Sequence, residues 1–307
     1  MTALFKAITC VAVAALACSV APAQVISTLE GENKGVVTSM KEGTVKEDDY
    51  AAKGIFNDWS DVLKDFSTYQ DEKKMDEIRE LKRPTGTVQV QLKGKELQLP
   101  SYVDENGIDL YLLTTEGIKI YMALSGPTYF QEPDADVIKW VRYYAHRNRS
   151  QTRRIFKRYE KWEPLIKEYF RSVGVPPELS ELCLIESGCT YEAESPAGAL
   201  GMWQIMPATA RNFGLEVSLY KDERKDPVLS TQAAAKILLA NYRKLGEWTL
   251  AAAAYNCGAG RIQSEFNHGR QEWKTIKSSL PKETSQYIPG LLAIHYVWTY
   301  RDKLNLK

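Results

Sequence analysis

The sequence is poor in the residues that hold metals and staple small domains. It contains three histidines and five cysteines in 307 residues, with no Cys-x-x-Cys pair. His146, His268 and His295 are scattered, so each is expected as a surface or interface side chain, and no metal or cofactor site is predicted. Net charge is small, +1 over the chain, which gives no reason to expect a nucleic-acid partner or a polybasic membrane contact. No apolar run is long enough to span a bilayer comfortably. Internal repeats and low-complexity tracts are also missing, which argues against a solenoid or an extended linker protein.

What is present is a soluble globular composition, 44% hydrophobic and 26% charged, with a marked division of charge. Residues 1–132 carry 14 basic against 20 acidic side chains, and residues 133–307 carry 26 against 19. An acidic front and a basic back predict two modules, the second suited to a weakly anionic ligand. The first 23 residues look like an export signal: Lys6, an apolar stretch from Ala7 to Leu16, then Ala21-Pro22-Ala23 before Gln24. Export to the periplasm of a Gram-negative cell is the expectation, with a lipid anchor at Cys18 as the alternative. A disulfide-permissive compartment follows.

Residues 24–50 are polar and read as a flexible leader. From Ile55 the apolar positions Ile55, Phe56, Trp59, Val62, Leu63 and Phe66 recur at helical spacing. The period then changes to two in "TVQVQLKGKELQLP", "IDLYLL" and "GIKIYM", with turns at Asn106-Gly107 and "TTEG". Residues 51–132 are therefore expected to form a small α+β region, a packing or docking module open to an envelope protein partner. From residue 133 the pattern stays helical, with Ser230 as an N-cap candidate and Gly246 as a helix end. The fold class predicted is mainly α, with a helical domain over 133–307, and a monomer is expected.

One carboxylate in the helical part is oddly placed. Leu179, Leu182, Cys183 and Glu186 follow i, i+3, i+4, i+7 spacing, which puts Glu186 on the apolar face while Glu178 and Glu181 point to solvent. Desolvation disfavours the charged form, raises the pKa and suits the group to donate a proton near neutral pH. The helix alone does not distinguish this from a buried Glu bonded to backbone amides. Downstream, "SPAGALGMWQIMPATA" offers small residues beside Trp203, Gln204 and Met206, a combination suited to a sugar bearing an acetamido group. "AAYNCGAGR" then places Tyr255-Asn256 at a helix end.

Glu186-Ser187 followed by these two motifs and by "LPKETSQYIPGLLA" resembles the lytic transglycosylases with an SLT domain, glycoside hydrolase family 23. The resemblance covers roughly residues 133–307. It implies a lysozyme-like helical fold and cleavage of the β-1,4 bond between N-acetylmuramic acid and N-acetylglucosamine in peptidoglycan. It also implies Glu186 as the single acid and base, with a 1,6-anhydro product and no cofactor. Ser187, Gly201, Gln204, Met206, Tyr255 and Asn256 would line the glycan groove, with Tyr287 a further wall residue. Most glycosidases use a second carboxylate; Glu192, Glu194, Asp222 and Asp226 are expected as solvated loop charges. Family members often carry LysM wall-binding repeats after this domain, and none is expected before Lys307. Cys189 and Cys257 follow motifs that must meet around one substrate, so a Cys189–Cys257 disulfide is predicted, leaving Cys183 as a buried thiol. The alternatives are a lysozyme-type hydrolase on the same fold, or a wall-binding protein without activity.

Overall fold

The computed structural model describes Phe66, residues 84–127 and residues 132–307. The expected export signal, the leader and the helix from Ile55 lie outside the described residues, except for Phe66. That residue is helical and buried, and it stacks on Trp140 at 3.7 Å.

The front region begins with an antiparallel hairpin, β1 (Gly86–Leu92) and β2 (Lys95–Ser101), in which Val88 faces Leu99 and Val90 faces Leu97. Lys93 and Gly94 turn the chain with φ of 50° and 76°, the paired positive values that match a two-residue turn to strand twist. The alternation in "TVQVQLKGKELQLP" thus becomes strand as expected. The other two alternating stretches do not. Leu110–Leu113 is a single 3-10 turn capped by Asp109. "GIKIYM" lies within helix α1 (Thr115–Ser125), started by Thr114, whose hydroxyl accepts from Gly117 N at 3.0 Å. The "TTEG" stretch is a helix cap rather than a hairpin turn.

The remaining described chain is helical. Helix α2 (Ala135–Arg142) passes through a five-residue π turn into α3 (Arg149–Ser172), the longest element. A 3-10 turn (Pro177–Glu181) leads into the short α4 (Leu182–Ser187). A long loop and α5 (Pro207–Asn212) follow, then α6 (Pro227–Leu245) and α7 (Trp248–Cys257). The chain closes with α8 (Ala259–Phe266), α9 (Trp273–Ile276) and α10 (Lys282–Thr299). The predicted mainly α class is borne out, with one two-stranded sheet among the described residues. No helix among them is long and apolar enough to cross a membrane. Helix α6 starts one turn earlier than expected. Asp226, not Ser230, is its cap, accepting from Val228 N and Leu229 N, and Gly246 ends it in the left-handed conformation.

Helix α10 organises the fold. Thirteen of its 18 residues are buried, from Thr284 to Trp298, so it has no broad polar face and is enclosed by the others. The front region packs against it rather than standing apart. Tyr296 Oη donates to Leu112 O at 2.8 Å, Tyr300 Oη to Tyr121 O at 3.0 Å, and Arg142 Nε on α2 to Leu113 O at 2.9 Å. Leu112, Tyr111 and Ile118 accordingly belong to one apolar core with Tyr296 and Trp298.

Candidate active site

Glu186 occupies the last turn of α4, and its neighbours Leu182, Cys183, Leu184 and Ile185 are all buried. Gly188 ends the helix at φ 59°, and Cys189 follows at φ 57°. Cys189 N then bonds Cys183 O at 2.9 Å and Gly188 N bonds Leu184 O at 3.1 Å, the double closure of a left-handed helix cap. Glycine is needed at 188 for more than its φ. A Cβ there would lie 2.7 Å from Ile155 Cγ2 of α3. The chain reversal brings Cys189 over Cys183, and these two form the disulfide, with Cα atoms 5.0 Å apart. The expected Cys189–Cys257 pair is therefore incorrect. Cys257 is a half-buried free thiol at the end of α7, and Cys183 is no thiol at all. Six-residue spacing around a left-handed cap decides the pairing, a local geometry invisible to motif order.

The carboxyl of Glu186 is held by Tyr287 of α10, whose hydroxyl donates to Oε1. Burial raises the Glu186 pKa to about 8; the Tyr287 hydrogen bond pulls it down, and the charge of Glu283 pushes it up. Desolvation is thus the dominant cause, as the helix pattern predicted. Glu283 stands one turn before Tyr287 on α10, and motif reading missed it. The signal was available: i, i+4 spacing places Glu283 and Tyr287 on one helix face.

The other predicted site residues divide into two groups. Tyr255 is half-buried on α7, donates from Oη to Trp203 O at 2.8 Å, and has its phenol pKa raised by burial and by the charge of Glu186. Tyr287 is buried and its own pKa is raised by burial and then by Glu186. Met206 is 42% exposed, the only predicted groove residue with an open apolar face. Gln204 is half-buried at φ 47°, and its Nε2 donates to Ala193 O and Gly201 O, both at 2.9 Å. Its donor serves the loop, and its carbonyl is the end left for other partners.

Three residues expected to line the groove do other work. Ser187 is buried; its hydroxyl donates to Met202 O at 2.8 Å and accepts from Thr190 N at 3.0 Å. Gly201 faces protein, not ligand: at φ 84°, a Cβ would sit 2.0 Å from Arg224 O. Asn256 has both amide ends engaged, Nδ2 donating to Glu283 Oε1 and Oδ1 accepting from Thr284 Oγ1, each at 2.8 Å. It clips α7 to the start of α10. Trp203, read from sequence as a sugar platform, is fully buried and donates from Nε1 to Thr231 Oγ1 at 2.9 Å. Of the four loop acids, Glu192 and Glu194 are exposed as expected. Asp222 instead takes Arg224 in a two-point contact at 2.7 and 2.9 Å, which holds that guanidinium against Gly198 O and Ile205 O.

Glu181 corrects a further expectation. It is fully buried, with Oε2 2.8 Å from His295 Nδ1 and Oε1 3.7 Å from Lys167 Nζ. His295 is buried as well, and its Nε2 meets Ser125 O at 3.1 Å. Burial alone would lower the His295 pKa, but Glu181 and the Ser125 carbonyl carry it above its ordinary value. An imidazolium satisfies both acceptors.

Residues 165–277 match the family model described as the transglycosylase SLT domain. That span includes Glu186, Gln204, Met206 and Tyr255 and ends before Glu283 and Tyr287. The chain is similar to membrane-bound lytic murein transglycosylase D of Escherichia coli, 34% identical over 166 residues, which are 53% of this chain and 37% of that one. It is also similar to the soluble lytic murein transglycosylase of Escherichia coli, 27% identical over 154 residues, 48% of this chain and 22% of the relative. Among solved structures, the 70 kDa soluble lytic transglycosylase of Escherichia coli aligns at a TM-score of 0.40 and 19% identity, over 80% of this chain and 44% of that one. The chain spans less than two fifths of the length of these curated relatives.

Proposed function

Taking residues 165–277 as a transglycosylase SLT domain, we propose that this chain is a peptidoglycan lytic transglycosylase of the cell envelope, with Glu186 as its acid and base. The observation that carries the reading is Glu186 itself, a carboxyl on a helix end whose pKa burial raises to about 8. At neutral pH such a group is protonated, as an acid for a glycosidic oxygen must be. Tyr287 donates to Oε1, which leaves Oε2 to carry the proton. Once that proton is given up, the phenol stabilises the carboxylate formed. The carboxylate then takes the proton of the muramic acid O6 hydroxyl, and that oxygen closes on the anomeric carbon. The leaving sugar gains the first proton, the second regenerates Glu186, and no water is consumed. Tyr255 and Met206 would form the groove wall beside this carboxyl. Residues 1–23 as an export signal, and a contact with an envelope protein through residues 51–132, belong to the same proposal.

A second reading rests on Glu283. Its charge is felt at Glu186, and a second carboxylate at a glycosidase site can activate water, as in a muramidase. Its oxygen is already engaged by Asn256, which favours a fixed electrostatic role. Masses of the muropeptides released from purified peptidoglycan decide between the two. The transglycosylase yields anhydro-muropeptides, one water lighter than hydrolysis products; reducing muramic acid ends alone would reject the proposal.

A further inference from the structure

The disulfide has a position that packing alone does not require. Cys183 lies three residues before Glu186 and Cys189 three residues after it, so the cross-link closes a seven-residue ring around the carboxylate. Helix α4 is only six residues long, too short to be held by its own backbone bonds. The turn that follows is in a conformation that a non-glycine residue adopts reluctantly, Cys189 at φ 57°. Arg158 Nε holds Gly188 O at 2.7 Å and Ser187 Oγ donates to Met202 O at 2.8 Å, but both attachments are made by the two residues after Glu186, and neither ties the turn back to the start of α4. The bond between Cys183 and Cys189, with Cys189 N on Cys183 O beside it, ties together the two ends of the segment that carries Glu186.

We propose that Cys183 and Cys189 are positioning residues: their disulfide holds Glu186 in register with Tyr287, and turnover depends on it. The claim rests on the reading of Glu186 as the acid and base. Without the cross-link the last turn of α4 frays, the carboxyl moves off the phenol and water reaches it. The groups facing the carboxyl are Tyr287 and Glu283 from α10 and Tyr255 from α7. None of them is a cation. Losing the Tyr287 bond raises the proton affinity of the carboxyl and exposure to water lowers it, and burial is the larger of the two causes, so the net change is toward the carboxylate. Wetter surroundings favour the carboxylate, and the alkaline limb of the kcat profile should move toward lower pH. Cys257, at the end of α7, has no part in this.

The test compares wild type with Cys183→Ser/Cys189→Ser, using muropeptide release from purified peptidoglycan across the pH range. Expected is a fall in kcat of about tenfold or more, a KM within about threefold, and the alkaline limb displaced toward acid. Cys183→Ala/Cys189→Gly is measured in parallel, because glycine accepts φ 57° and keeps the turn if the serine pair does not fold. Wild-type kcat in either folded variant would overturn the proposal. So would a lower kcat with an unmoved limb, since that reports only a smaller folded fraction. Glu186→Gln, assayed with the disulfide intact, separates the two claims. If it retains turnover, the acid/base reading fails and takes this one with it. If it is inactive while both cysteine variants match wild type, the positioning role alone is lost.

Discussion

Glu181 and Glu186 stand five residues apart on one short segment, and α10 supplies the main partner of each. Glu181 is fully buried against His295, with Lys167 on its other side. Glu186 is half-buried and receives a phenol hydrogen bond from Tyr287, with the like charge of Glu283 nearby. The first is a charge neutralised in place, whose loss would strand its partner. The second is a carboxyl whose charged form is discouraged, ready to hold a proton at pH 7. Burial is common to both, so the surrounding charges decide the chemistry: imidazole and ammonium make Glu181 a joint, whereas the phenol bond at Glu186 only tempers a pKa that burial has raised.

Four substitutions sharpen that contrast, from the largest expected effect down. Glu186→Gln should remove turnover by at least about 1,000-fold, within the range ascribed to acid–base groups, read as muropeptide release. The same change should stabilise the fold. The folded pKa of Glu186 is raised above its ordinary value of 4.5 to about 8, so the native state keeps a proton that the unfolded chain has lost, and native stability falls as pH rises through that window. Denaturant unfolding at pH 4 should show little difference from wild type; at pH 8 the variant should gain about 2 kcal/mol, a figure reduced for partial exposure. His295→Ala should cost about 3 kcal/mol at pH 6, because Glu181 is left buried without its partner. The folded pKa of His295 is raised. Its contribution is therefore complete below about pH 6.5 and is lost as pH rises through the folded value, so the deficit should shrink in alkaline buffer.

The two smaller effects act on the acid alone. Tyr287→Phe should lower kcat by about 10- to 100-fold, since it removes one bond that stabilises the carboxylate formed in the reaction. That bond lowers the Glu186 pKa, so the alkaline limb of kcat should move further alkaline. Glu283→Gln removes a charge that raises the same pKa, and the limb should move the other way, with kcat changed less than in Glu186→Gln or Tyr287→Phe. A shift in the same direction for both variants would contradict the balance described.

The burial of Glu186 was legible in the sequence because helical periodicity marks a carboxylate on an apolar face. The role of Glu181 was not, because its burial comes from His295, 114 residues away, and from a 3-10 turn that shifts the helical phase before α4. Ser187, Gly201 and Asn256 were expected to line a groove, and the contacts they make hold neighbouring protein segments. Motif strings do not separate a side chain that meets ligand from one that holds a loop, and the latter is decided by contacts such as Arg224 O against Gly201. "GIKIYM" alternates like a strand, yet Thr114, three residues before it, caps a helix whose buried face is Gly117, Ile118 and Tyr121. Short apolar stretches satisfy either period, and the cap is the stronger signal.

Helix α10 can also be read as a gauge. Tyr287 and His295 are eight residues apart on it, roughly 12 Å along its axis, and each meets one carboxylate of the Pro177–Ser187 segment. A single residue inserted between them would swing one of the two by about 100° about that axis, so the acid and the joint could not both keep their partners. The length of this stretch is therefore as constrained as its composition. Deletions and insertions there should be far less tolerated than substitutions, whereas the exposed hairpin turn at Lys93-Gly94 should accept both.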